Sequence, residues 1–359
     1  MTPHFLFWQN SSVSPAGEKG ISDATSQVTL GQASINPRVA SRLVLLLLFL
    51  LPTAYLAELL SSAVHEVLGH GLAAWYVGGS FCGFQIGWDG GGWAAAYPPE
   101  GGPPSAEVIV LATGVLAQTE VGIVCLLAAW WYREKRYFLY MALLLISFSC
   151  LVNASSYVFW GLYQPEAAPG KVLAPNADFA VIYRLTQGHW LQTILLPVSG
   201  MLFVVITLVS TSLFFEGVER FVGGCRLHGR TRAAALLMFV IIPGVGGWFL
   251  FDWEQVIPGI GRLPCIIGAS TQVVIALMLF RWSLRPCTSQ PSLGNAAVAI
   301  AAIWALTVLM AVAMWSGLSE GWYWGGQTLP AQTMIIEPSP AIQPGQARHQ
   351  TSPTPGTDK

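Results

Sequence analysis

Long apolar runs with few charged residues recur along the chain and constrain its fold more than any other feature. Seven of them are long enough to cross about 30 Å of hydrocarbon as a helix, which takes about 20 residues. Charged residues make up only 10% of the chain, against about 25% in soluble domains. The pattern predicts an all-α polytopic membrane protein with about seven transmembrane helices, near 42–64, 106–131, 137–162, 190–215, 232–251, 263–282 and 295–317.

The sequence allows two alternative structures for the first apolar run and two for the loop that follows it. Residues 42–76 form one tilted span that continues into an interfacial helix, or two helices that meet near Pro52. The loop 79–105 is rich in glycine and aromatic residues. It forms a small β-hairpin of short strands around a glycine turn, or it is a flexible loop. An edge strand here would be able to pair with an unfolded substrate segment.

The composition divides the chain into four regions. Residues 1–38 are polar and predict a flexible N-terminal tail, and residues 326–359 are proline-rich and typical of a disordered tail. Between them, 39–185 forms a membrane core and 186–325 adds further transmembrane helices.

The distribution of Lys and Arg predicts the orientation. With seven spans and a cytoplasmic N-terminus, twelve of these residues fall in cytoplasmic segments and five on the other side, as the positive-inside rule requires. We therefore expect a multi-pass protein of the cell (inner) membrane, with the lipid bilayer as its solvent. A net charge of −1 gives no reason to expect nucleic-acid binding.

His65-Glu66-Val67-Leu68-Gly69-His70 stands at the end of the first apolar run. Two histidines with a glutamate beside the first are how helical zinc hydrolases hold Zn²⁺ and activate water. Residues five apart point about 140° apart around an α-helix, so two such imidazoles do not share a face. A single π-type turn brings positions i and i+5 together, and Gly69 relaxes the backbone there. The spacing therefore predicts a π-bulge over 65–70.

In this interpretation, His65 and His70 bind Zn²⁺ and Glu66 is the general base that acts on a zinc-bound water. A catalytic zinc needs a third protein ligand, and the sequence leaves four candidates open: Asp178, Asp252, Glu120 and His189. Asp178 precedes a short helical run, a position that is equally typical of an N-cap.

Three polar residues inside the predicted spans are further candidates. Glu58 lies seven residues before His65, on nearly the same helix face, from which it would orient the imidazole. Gln118 and Glu120 lie near the middle of the second span, where polar side chains usually serve function or join helices.

Residues 65–79, HEVLGHGLAAWYVGG, resemble the site-2-protease type of intramembrane zinc metalloprotease, and most closely its small M50B-like branch. The likeness continues into LATGVLA at 111–117, where that family has small residues around a glycine, and it covers roughly 45–185. The resemblance implies that His65 and His70 are zinc ligands, Glu66 the base and Asp178, in Asn176-Ala177-Asp178, the third ligand. The one extra residue between the histidines is a departure from the HExxH of the family.

The leading hypothesis is thus a membrane-embedded zinc endopeptidase that cuts membrane proteins or membrane-associated peptides. One alternative is a catalytically silent relative that acts as a membrane scaffold or regulator. Another is a transporter, although the sequence lacks the internal repeats that many transporters carry. The sequence does not determine the oligomeric state.

Overall fold

The computed structural model describes residues 37–88, 90–163, 177–223, 229–241 and 292–323, with a few isolated positions between 270 and 278. Both predicted tails lie almost wholly outside these residues, and so do half of the predicted span at 232–251 and most of the span at 263–282. The described chain is mostly helical and carries one small sheet.

The elements of the described residues follow one another along the chain. In order they are α1 (Pro37–Ala63), a π-helical turn (Val64–Gly71), α2 (Leu72–Tyr76), β1 (Ser80–Ile86), β2 (Gly92–Tyr97), α3 (Pro104–Tyr132), α4 (Tyr137–Tyr163), α5 (Ala177–Thr186), a second π turn (Leu191–Leu195), α6 (Leu196–Gly223), α7 (Gly229–Leu236), a third π turn (Leu237–Ile241), α8 (Leu293–Ala313), a fourth π turn (Met314–Leu318) and β3 (Trp322–Tyr323).

Among the described residues, five helical segments are long and apolar enough to cross a membrane. They are Arg38–Tyr76, Pro104–Tyr132, Tyr137–Tyr163, Leu191–Val222 and Leu293–Leu318. The first is continuous, with Pro52 inside α1, so the alternative of two helices that meet near Pro52 is wrong. The chain therefore has the features of an integral membrane protein.

The largest apolar core lies at one end of the bundle, where α1, α4 and α6 meet. Its centre is made of fully buried side chains, which include Leu46, Met141, Leu144, Phe215 and Phe221. Basic residues surround the same end: Arg42 donates a hydrogen bond to the Phe221 carbonyl at 2.7 Å, and Arg220 donates to the carbonyl of Arg133. We call this part of the molecule the basic end.

A three-stranded antiparallel sheet in the order β2-β1-β3 lies beyond the other end of α1. β1 pairs with β2 from Ser80 opposite Tyr97 to Ile86 opposite Gly92. β3 covers the other edge of β1, and Met314 and Leu318 after α8 pack against Leu59 of α1. The sheet is thereby held against the helix that carries the HExxxH motif.

Candidate metal centre

The HExxxH motif forms a π-helical turn, Val64–Gly71, between α1 and α2. The π-bulge predicted from the five-residue spacing is therefore confirmed. His65, Glu66 and His70 are all buried, and the two imidazole rings lie 4.7 Å apart between centroids. Their helix ends at Tyr76, an exposed residue, about 9 Å beyond His70 at a rise of 1.5 Å per residue. The motif thus lies within the candidate span Arg38–Tyr76, before its exposed aromatic end.

Two glycines allow α3 to approach this turn closely. A Cβ atom at Gly69 would overlap the backbone of Gly114, and a Cβ atom at Gly114 would lie 2.7 Å from Nε2 of His65 and 2.9 Å from Cε1 of His70. Small residues at helix crossings let backbones approach in membranes. Here they also leave room for both imidazoles, which explains the LATG sequence that precedes Val115.

The protonation of His65 follows from its neighbours. The amide nitrogen of Gln118 lies 3.2 Å from the carbonyl oxygen of Ser61 and 3.0 Å from its hydroxyl. Because a carbonyl oxygen only accepts hydrogen bonds, this contact sets the amide orientation and turns Oε1 of Gln118 toward His65. His65 therefore donates from Nδ1 to that oxygen at 3.0 Å, and its Nε2 is left as the electron-pair donor.

His70 has the same tautomer for an analogous reason. Its Nδ1 lies 2.7 Å from the backbone carbonyl of Val110 in α3, to which only an N–H can donate. Nε2 of His70 is thus free to coordinate. Hydrogen bonds of this kind, from the far nitrogen of a metal-binding histidine to a carbonyl or amide oxygen, orient the ligands of metal sites in general.

Asp178 at the start of α5 completes the group. Its Oδ2 lies 3.2 Å from Nε2 of His65 and 3.3 Å from Nε2 of His70, and the three potential ligand atoms all lie within 4.8 Å of one another. Ligand atoms about 2.0–2.1 Å from a tetrahedral ion are separated by about 3.3–3.4 Å. The spacing of Asp178 from each histidine therefore fits a tetrahedral metal ion.

The electrostatics agree with a cation between these groups. Burial favours the neutral acid of Asp178, but when the two imidazoles are protonated, their hydrogen bonds and positive charges outweigh it and hold the pKa of Asp178 well below its usual range. A carboxylate and two nitrogen lone pairs converge on one point, and only protons or a metal ion can satisfy all three. Two neutral histidines and one carboxylate are also a common ligand set of catalytic zinc.

Glu66 lies beside this group without belonging to it. Its carboxylate is buried, and Oε2 is 4.0 Å from Nε2 of His70. β2 covers it from the sheet side: a Cβ atom at Gly92 would lie 3.0 Å from Cγ of Glu66. The position is suitable for a base that acts on a ligand of the metal.

A cavity of about 100 Å³ adjoins Glu66 and His65. Its lining is mostly polar and comes from α1, the π turn, the β1–β2 turn, α3 and α4: Glu58, Ser62, His65, Glu66, Gly90, Gly91, Gln118, Asn153 and Tyr157. A polar cavity of this size has room for water.

Glu58 does not orient His65, so that expectation is wrong. Its carboxylate accepts hydrogen bonds from Asn153, at 2.7 Å, and from Ser149, both on α4. The orienting contact comes from Gln118 instead, because α3 crosses the turn at Gly114 and brings residue 118 one turn further along to Nδ1 of His65.

The other three candidates for a ligand are not in this group. Glu120 is exposed on α3, on a face different from that of Gln118. His189 is exposed, and its Nδ1 lies 3.2 Å from the hydroxyl of Tyr183. Asp252 lies outside the described residues.

Sequence reasoning did not identify the contribution of α4. Asn153 joins Glu58 to Ser61, and the ring of Tyr157 lies against the His65 imidazole with centroids 4.8 Å apart. The available signal was the spacing of Ser149, Asn153 and Tyr157, which repeat every four residues along an apolar helix and therefore mark one polar face.

The fold and this group of side chains define a protein with the features of an integral membrane protein, in which His65, His70 and Asp178 could hold a metal ion. Residues 39–163, about a third of the chain, match the family model described as Peptidase M50B-like. This part of the chain is similar to the M50B-like peptidases, the resemblance predicted from the motif. The match includes the HExxxH motif, Gly114 and α4, and it ends before Asp178. No curated protein and no solved structure matches the chain.

Proposed function

We propose that this protein is a membrane-embedded zinc endopeptidase. The observation that carries the proposal is the convergence of Nε2 of His65, Nε2 of His70 and Oδ2 of Asp178, with Glu66 on the same turn. The peptidase family of residues 39–163 supports it, because its members are zinc metalloproteases. When bound, zinc polarises a peptide carbonyl and lowers the pKa of coordinated water toward about 7.

In this mechanism the protein residues have distinct tasks. His65, His70 and Asp178 hold the metal, and Gln118 and the Val110 carbonyl hold the two imidazoles in the Nδ1–H tautomer. Glu66 accepts a proton from the attacking water and then delivers it to the leaving nitrogen, so that one carboxylate serves both proton transfers. The cavity beside Glu66 supplies the water.

The substrates we propose are membrane proteins or membrane-associated peptides. A peptide bond must reach a metal centre that lies about 9 Å or more along the helix from the aromatic residues at its end. A helical substrate must therefore unwind locally at this point, since its backbone hydrogen bonds protect the scissile bond.

The basic end of the bundle indicates the orientation that we propose. Arg42, Arg133 and Arg220 lie together at that end, on the opposite side of the apolar core from the sheet. By the positive-inside rule this end of the bundle, where α1 begins, faces the cytoplasm. The N-terminus is therefore cytoplasmic, and the membrane that the protein spans is the cell (inner) membrane.

Zinc stoichiometry of the detergent-purified protein is the first test. We expect about one zinc per chain in the wild type and His189→Ala, and a large loss in His65→Ala, His70→Ala and Asp178→Ala. Equal zinc content in Asp178→Ala and the wild type would contradict the ligand set.

Catalysis is tested with Glu66→Gln, which keeps the shape of the side chain and removes the base. We expect full zinc content and a fall of about 10²–10⁴ in the cleavage rate of a single-span reporter protein in the same micelles. Zinc without cleavage in the wild type would favour the catalytically silent scaffold, and unchanged cleavage in Glu66→Gln would refute the role of the base.

A further inference from the structure

We propose that Tyr157 is a catalytic residue, whose hydroxyl donates a hydrogen bond to the oxygen of the peptide carbonyl as that oxygen becomes negative. This inference rests on the proposed function and adds a residue to it. Tyr157 lies on α4, with its ring against the imidazole of His65, and it lines the same cavity as Glu66.

Two tyrosines near the start of α4, Tyr137 and Tyr140, show by comparison what is unusual about Tyr157 near its end. Tyr137 donates to the carbonyl of Gly217 at 2.9 Å, and Tyr140 donates to the carbonyl of Leu213 at 2.8 Å, so both hydroxyls join α4 to α6. Within the described part of the chain, the hydroxyl of Tyr157 has no such hydrogen bond. Tyr157 lines the cavity beside Glu66, so its hydroxyl is available to a molecule that enters there.

Packing alone does not require this hydroxyl. A phenylalanine ring would cover His65 equally well and would be less costly in an apolar helix. Tyr157 lines the cavity together with Glu66 and Glu58, which places it beside two carboxylates of the site. A donor at this position has a chemical use only for an acceptor that enters the cavity.

The reaction provides such an acceptor. Water oxygen forms a bond to the carbonyl carbon, the π electrons move to the carbonyl oxygen, and Glu66 takes the proton that the water loses. The Tyr157 O–H donates to the resulting oxyanion without losing its proton. The C–N bond then breaks, and the nitrogen leaves with the proton from Glu66. A donor aimed at an oxyanion in a dry site contributes about 10²–10³ in rate.

Two small metal ligands test this without an identified substrate. Phenylphosphonate presents a second anionic oxygen beside the one on the metal, whereas thiophenolate binds through sulfur and offers no such oxygen. Their affinities are measured by the absorption spectrum of the Co²⁺-loaded protein. In Tyr157→Phe we expect phenylphosphonate to bind about tenfold to a hundredfold more weakly, and thiophenolate to bind as in the wild type.

Tyr140→Phe is the matched control, since it removes a hydroxyl from the same helix far from the site. We expect both ligands to bind it as they bind the wild type. Equal weakening of both ligands in Tyr157→Phe would show that the residue acts by packing on His65, and unchanged affinity for both would show that its hydroxyl does not face the metal. Either result overturns this inference alone. Failure of the wild type to bind Co²⁺ or thiophenolate would overturn the proposed function as well.

Discussion

The basic end and the metal centre both contain parts of α1 and α4, but the two helices contact each other through apolar side chains at the basic end and through hydrogen-bonded polar side chains at the metal centre. At the basic end α1 contributes Leu46 and α4 contributes Met141, both fully buried among large apolar side chains. At the metal centre α1 contributes Glu58 and Ser61, and α4 contributes Ser149 and Asn153, which are joined by hydrogen bonds.

This difference shows how stability and function are separated along one helix pair. Apolar side chains at the basic end form dense contacts that need no specific partner, and these contribute to stability in proportion to their packing. Polar groups at the metal centre form all their hydrogen bonds only in one arrangement, so their main effect is to fix the positions of the side chains. Substitutions at the two ends are therefore expected to affect different measurements.

The largest effect should come from Gly114→Ala. The added methyl carbon would lie 2.7 Å from Nε2 of His65, the atom assigned to the metal, and against backbone and rings that have little room to move. We expect the zinc content to fall from about one per chain to nearly none.

Gly122→Ala on the same helix is the control for that substitution. Its methyl would lie 2.6 Å from Cγ of Leu151, a side chain outside the site. We expect lower thermal stability with zinc retained. Full zinc content in Gly114→Ala would contradict the close packing of α3 against the π turn.

Met141→Ala tests the basic end. Met141 is fully buried, and removal of a large core side chain typically costs about 2–5 kcal/mol. We expect a clear decrease in the free energy of unfolding, measured in mixed micelles, with one zinc per chain retained.

Met201→Ala on α6 removes the same atoms from an exposed position and should change stability by less than about 0.5 kcal/mol. If Met141→Ala lost its zinc while it remained folded, packing at the basic end would control metal binding as well as stability, and the proposed separation of the two would be wrong.

The smallest of these effects should come from Gln118→Met. The substitution keeps the volume but removes the acceptor that holds His65 in its Nδ1–H tautomer. Loss of such an orienting partner typically weakens metal affinity by about 10–100-fold. Competition with a chelator measures this change.

Gln192→Met provides the comparison for Gln118→Met, because Gln192 also donates to a backbone carbonyl, that of Leu162, away from the metal centre. Its zinc affinity should match the wild type. A Gln118→Met protein with unchanged zinc affinity would show that His65 does not need this contact.

Sequence alone was sufficient for the parts of this protein that depend on local periodicity. Long apolar runs define helices, and the five-residue spacing between His65 and His70 requires a π turn if both imidazoles are to share a face. The likeness of residues 65–79 to one peptidase family predicted the similarity that the family model finds over residues 39–163.

The tertiary structure decided which distant residues meet this turn. The residues alone left four candidates for the third ligand open, and only the family resemblance favoured Asp178. In the structure α5 brings Asp178 to the histidines, while Glu120 and His189 stay on exposed faces. The roles of Gln118 and Tyr157 depend on how α3 and α4 cross the π turn. Contacts between helices depend on crossing geometry and on which faces meet, and a periodicity along one helix carries no information about either.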